Sequence, residues 1–171
     1  MIRLPDGPAD QGTRVVRQDG NADAGRGIFR FETFGNEGFW TDAVRLPAEM
    51  VAARVTPLQA MGLGVQIDVD ALDAASRSAL TTQLQEDPTG RTSALLNDPN
   101  ATMAAINTNA VIGMPIKDND GDRVMDANKG DKVEASCALC HSMTDGSVCR
   151  APNGGSIRRR MDGLANHVLP S

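Results

Sequence analysis

Aromatic residues are scarce in this chain. They make up 3% of 171 residues, there is no Tyr, and four Phe and one Trp are the whole supply. Histidine is scarcer, at two, so acid–base catalysis by His is poorly supplied. No Gly-rich phosphate loop, nucleophile elbow or Ser/His/Asp set stands out. Basic residues are outnumbered, 17 Lys and Arg against 22 Asp and Glu, and the net charge of -5 disfavours a nucleic-acid partner. No apolar run approaches the length of a membrane-spanning helix, and no internal repeat is visible. The length suits one domain. At 40% hydrophobic residues the core is adequate but not rich. A large prosthetic group would supply much of the missing apolar mass.

What is present centres on Cys137-Ala138-Leu139-Cys140-His141, a C-x-x-C-H string. This pattern attaches a c-type haem, one group per string. Two thiols add across the two vinyl groups, which ties the cofactor to the chain by two thioethers. Two intervening residues place both sulfurs along one side of a helical turn. The adjacent His141 then turns its imidazole to the iron as proximal ligand. Zinc is the competing reading: Cys137 and Cys140 as a thiolate pair, with Cys149 and either His141 or His167 completing four ligands. A zinc site has no need of a His directly after the second Cys, which favours haem. Two free cysteines beside a surface His is the plainest alternative. Cys149 is the odd cysteine, read as a buried or free thiol, or as a link to another chain in an oxidising compartment.

The second informative stretch is 25–40, which contains Phe29, Phe31, Phe34, Phe39 and Trp40, all the aromatic residues of the protein. Such confinement suggests one large flat object for them to pack on. A porphyrin is one, and it needs an apolar wall. An ordinary aromatic cluster in the core is the alternative. Arg158-Arg159-Arg160 is the one basic cluster of note. Arg159 and Arg160 suit the two haem propionates, since arginine forks pair well with carboxylates. A docking patch for an acidic redox partner and a solvated helix face are the other readings.

The sixth iron position separates a carrier from a reactive haem. A strong ligand there gives a low-spin electron carrier; an open position gives small-molecule binding or peroxide chemistry. His167, Met161 and Met114 are the candidates, with the reading leaning to His167 over Met161. Met114 precedes Pro115 but lies before the haem string rather than after it.

Asp118, Asp120, Asp122 and Asp126 occupy relative positions 1, 3, 5 and 9 of an acidic loop. The spacing resembles calcium loops of the thrombospondin type 3 kind and the first part of an EF-hand loop. Arg123 stands where an EF-hand has Gly, and no Glu closes the loop. A solvated acidic turn between two strands is the alternative to Ca2+.

Local patterns predict a mainly α fold: a small irregular helical domain wrapped around one haem, with a short β-hairpin or extended segment before the haem string. Residues 1–24 are polar and read as an extended arm, leaving 25–171 as a mono-haem cytochrome c-like domain. Pro47 and Pro57 divide the apolar positions of 41–62 into two short helices. Val65–Val69 alternates like a strand. Asp70 is expected to cap a helix over 71–85, and Asp98-Pro99 opens another. After the string, Ala151-Pro152-Asn153-Gly154-Gly155 reads as a Gly/Pro loop.

Gly25 to Leu46, Val69 to Leu72, Asp98 to Gly113, Cys137 to Ser142 and Met161-Asp162-Gly163 together resemble a group of uncharacterised bacterial cytochrome c-like proteins. The resemblance covers most of 25–165 and implies an exported haem protein. The 25–46 stretch also resembles the helix before the first haem of di-haem cytochrome c peroxidase-like proteins, but no Cys or His follows it here. Covalent haem attachment takes place outside the cytoplasm, so a periplasmic or other extracytoplasmic location is expected, with an export signal not visible in this numbering. The expected activity is electron transfer rather than enzymatic turnover. The chain would act as a soluble carrier or as a subunit of a larger redox assembly, with a redox protein or neighbouring haem subunit as partner. A haem enzyme or gas-binding protein with an open iron position, and a structural zinc module, are the alternatives.

Overall fold

The computed structural model describes residues 20–147, 149–151 and 154–167. The expected arm at 1–24 lies outside the described residues as far as position 19. Asn21 caps the first helix, α1 (Ala22–Phe31), its Oδ1 accepting the Ala24 N–H at 3.0 Å. No residue of α1 is buried. The chain then reverses through Phe34 and Gly35, both at positive φ, into a π-helical segment, Gly38–Ala43. Helices α2 (Leu46–Ala52) and α3 (Pro57–Gly62) follow, each with a proline in its first turn, where a missing N–H costs nothing. Thr56 and Gln59 form a reciprocal capping box on α3.

Strand β1 (Ile67–Asp68) and a 3-10 turn, Val69–Ala71, lead to α4 (Ala74–Glu86). Asp73, not Asp70, caps α4, accepting the N–H groups of Ala75 and Ser76. Helix α5 (Pro99–Asn107) starts as expected, with Asp98 as cap and Pro99 at its first position. Strands β2 (Ile116–Lys117) and β3 (Lys132–Val133) form the antiparallel pair before the haem string, with the acidic loop between them. The string itself forms α6 (Ala138–His141). Four strands come after it: β4 (Ser142–Thr144), β5 (Cys149–Arg150), β6 (Ser156–Arg158) and β7 (Arg160–Asp162).

The fold is therefore mixed α/β and not mainly α. Three small sheets carry the seven described strands: β1-β6-β5, β2-β3 and β4-β7. The expectation failed because these strands are two or three residues long. A run that short carries no readable alternation, and β1 finds its partner only far along the chain. β1 pairs in parallel with β6, Ile67 opposite Ile157, and β5 adds antiparallel to β6. Core side chains come from most elements: Met61, Ile67, Leu80, Leu84, Leu96, Ile106, Val111, Val133 and Ile157 are all at most 6% exposed.

Two features lock the C-terminal sheets to the helices. Gln66 is buried, and its Oε1 accepts from Ser156 N (3.1 Å), Ser156 Oγ (2.8 Å) and Thr144 N (3.4 Å). Its Nε2 donates to Gly64 O and to Asn166 Oδ1. One side chain thus joins β4, β6 and the C-terminal turn, and its removal would strand several buried partners. Gly113 has φ +80, and a Cβ there would lie 2.1 Å from the Leu139 backbone N. Only glycine lets the chain pass so close beneath α6.

Candidate functional site

Cys137, Cys140 and His141 stand at i, i+3 and i+4 of one helical turn, so their side chains share a face. All three are exposed, and both cysteines are free thiols. The opposite face is buried: Ala138 has no exposure, and Leu139 packs on the core. Backbone groups of the turn are bound from several directions. Ser136 N donates to Gly113 O at 3.0 Å, Gly163 N to His141 O at 2.8 Å, and Asn166 N to Cys140 O at 2.8 Å. Asn166 Nδ2 also reaches Leu139 O at 3.3 Å. A four-residue helix has little stability alone; these bonds hold it, and they aim two sulfurs and one imidazole outward.

Helix α1 lies against this turn. Ser136 Oγ donates to Arg30 O at 2.8 Å, which brings the end of α1 to the start of α6. Arg30 also grips Asp162, whose other oxygen accepts the Ser142 hydroxyl at 2.8 Å. None of the five aromatic residues is buried. Phe31 is 49% exposed, Phe34 75% and Phe39 57%. Phe29 and Trp40 are half-buried. Phe29 borders a shallow groove with Gly25, Arg26, Asp162 and Gly163. Trp40 meets Phe39 edge to face, ring centroids 5.1 Å apart. An ordinary core cluster is thus not what the aromatic stretch builds. Among the described residues no element covers these rings, so the stretch leaves apolar surface open to solvent.

The two arginines part company. Arg159 is exposed. The Arg160 side chain is 5% exposed, lies 4.0 Å from Asp68 Oδ2 and 3.9 Å from Asp162 Oδ1, and its Nε has no hydrogen-bond partner. Burial pulls its pKa down and Asp68 pulls it back up. Of the distal-ligand candidates, Met161 is half-buried on β7, across from Met143 on β4. His167 is exposed and follows Asn166. Met114 is buried, at 8% exposure. Cys149 is 2% exposed among core residues, and burial raises its thiol pKa. Among the described residues, the thiols and imidazoles proposed for zinc do not gather into one cluster.

Carboxylates do gather. Asp118, Asp120, Asp122 and Asp131 bring ligand oxygens within 4.8 Å of one another. Asp126 is not in the group; it caps the turn at Ala127–Lys129. Asp131, which sequence spacing did not single out, is 1% exposed and accepts from Asn119 N (2.8 Å) and Asp126 N (3.0 Å). The N–H groups of Arg123 and Gly121 hold the Asp118 carboxyl below the usual range. Lys129 binds both Asp120 and Asp122, which lowers Asp120 and raises the ammonium. A calcium ion entering this loop has to displace that ammonium.

The donor set at 137–141 fits a covalently held haem. Two accessible thiols and an accessible imidazole share one face, and the rings of the neighbouring aromatic stretch are left uncovered by the described residues. Sequence reasoning missed the residues that hold the turn: Gly113, Arg30, Asp162 and Asn166. Gly113 interrupts an apolar run, which is a sign of close backbone approach; Asn166 has no local signal at all. No family model, no curated protein and no solved structure matches this chain.

Proposed function

We propose that this chain is a mono-haem c-type cytochrome that passes single electrons between partners. Cys137 and Cys140 would hold the haem through thioethers, and His141 would bind its iron. The observation that carries the reading is the shared, solvent-facing placement of these three side chains on α6. When bound, the haem supplies a one-electron couple. The chain's own residues do the rest. Phe31 and Phe34 offer apolar cover, and Arg159 is free to pair with a propionate. Gly163 and Asn166 fix the backbone behind His141. An exposed attachment face leaves an edge open to a redox protein or a neighbouring haem subunit. Attachment of this kind takes place in an exported compartment.

One observation favours a second reading, an open sixth position that binds small molecules. Met161 and His167 are both carried by chain that is hydrogen-bonded to the His141 turn. This tie to the His141 turn supports a reading in which neither residue would serve as the second iron ligand. Absorption spectra of oxidised and dithionite-reduced protein test both readings. A Soret band that survives acid-acetone extraction supports covalent haem. A spectrum that shifts on adding cyanide or carbon monoxide selects the open position. A colourless protein overturns both.

A further inference from the structure

Glu37 and Glu134 meet where the loop after α1 crosses the strand that leads into the haem string. Glu134 is 7% exposed. Its N–H donates to Pro115 O at 3.1 Å, and its Oε2 accepts the Thr33 hydroxyl. Glu37 Oε1 accepts from Lys117 Nζ at 2.9 Å. Reciprocal hydrogen bonds between Asn36 and Ala135 bring the neighbouring Glu37 and Glu134 side by side, and each carboxyl group acts on the titration of the other. Yet Glu37 Oε2 is buried with no donor. Two carboxylates have nothing to donate to one another, whereas one carboxylic acid does. A buried acceptor left without a donor is costly, so the arrangement calls for a proton.

We propose that Glu37 and Glu134 form a proton-binding site, with a single proton held on Glu134 and donated to Glu37 Oε2. The charges around the pair agree with that assignment. Lys117 from β2 faces Glu37, Glu134 and Glu32 together, one ammonium among three carboxyl groups. Lys132, on the paired strand β3, is taken by Asp42. Burial is the largest influence on Glu134 and pushes it up, with Glu37 adding to it. The Lys117 hydrogen bond is the largest on Glu37 and holds it down. Two carboxyl groups pushed apart in this way share one proton.

The proton fastens a strap. Residues 33–41 are tied to 133–135 by Thr33 on Glu134, by reciprocal bonds between Asn36 and Ala135, and by Thr41 on the Val133 backbone. The strap carries Phe34 and Phe39. Glu134 has a folded pKa above its unfolded value, so its contribution is complete at low pH. It is lost as pH rises through the folded pKa. Glu37 acts oppositely, and its contribution fades as pH falls below the ordinary range. None of this needs a haem, so the site stands or falls apart from the cytochrome reading.

Glu134→Gln keeps a donor toward Glu37 and cannot titrate. Thermal melts from mildly acidic to alkaline pH should show the wild-type midpoint falling as pH rises, with E134Q flat over the same range. Infrared spectra taken across a pH titration should show a protonated-carboxyl band that persists to higher pH in the wild type than in E134Q. Equal pH slopes in the two proteins, or no such band in the wild type, would overturn the proposal.

Discussion

Arg30 and Asp162 are 132 residues apart in the chain, yet Arg30 Nε and Nη2 lie 2.7 and 2.6 Å from one Asp162 oxygen. The pair fastens α1 to β7, directly behind the haem string, because Gly163 next to it binds His141 O. Both side chains are between one-fifth and one-third exposed. Asp162→Ala would leave Arg30 and the Ser142 hydroxyl without their shared acceptor. The expected loss is about 1–3 kcal/mol in chemical denaturation. An unchanged denaturation midpoint would mean that α1 is held by other contacts.

Gly113 makes the sharpest stability prediction. An alanine there combines a left-handed backbone with a Cβ 2.1 Å from Leu139 N. Strain and displacement of α6 together should cost about 3 kcal/mol or more. If haem is attached at α6, the same variant should incorporate it poorly. Wild-type stability in G113A would show that the chain does not pass beneath α6 so closely.

Phe31 separates a ring that packs in the bare chain from one that waits for a tenant. It is half exposed, one residue beyond the Arg30 carbonyl that Ser136 binds. Phe31→Ser should change the stability of the haem-free chain by no more than about 0.5 kcal/mol. With haem attached, the variant should melt lower than wild type and show an altered reduction potential. Equal effects on both forms would remove Phe31 from the proposed wall.

Asp131 is the buried anchor of the acidic loop. Asp131→Ala would leave the N–H groups of Asn119 and Asp126 without acceptors. The expected cost is about 1–3 kcal/mol for each donor left buried and unpaired. Hydrogen exchange across 118–131 should speed up, with little change at α4 and α5.

Legibility in the sequence followed the range of the forces involved. Asp98 and Pro99 announced α5, because a cap and a first-turn proline act within a few residues. Asp70 and Asp73 both precede the apolar stripe of α4, and the pattern alone chose the wrong one. Asn21 caps a helix inside a stretch whose polarity hid it. The strands β4 to β7 were invisible because each is two or three residues long, too short to carry an alternation, and β6 is further paired with the distant β1. The thiols and imidazole at 137–141 were legible as chemistry. Their support was not, since Arg30 binds Asp162 across 132 residues and Ser136 across 106, and Asn166 reaches back 27 residues to Leu139 without any local signal.

The most direct measurement is the intact mass of the protein, produced with an added export signal, after acid-acetone extraction, beside its Cys137→Ser, Cys140→Ser and double variants. Covalent attachment predicts the chain mass plus one haem, with the double variant losing the haem altogether. The bare chain mass for wild type, or a chain that holds zinc in place of haem, would contradict it.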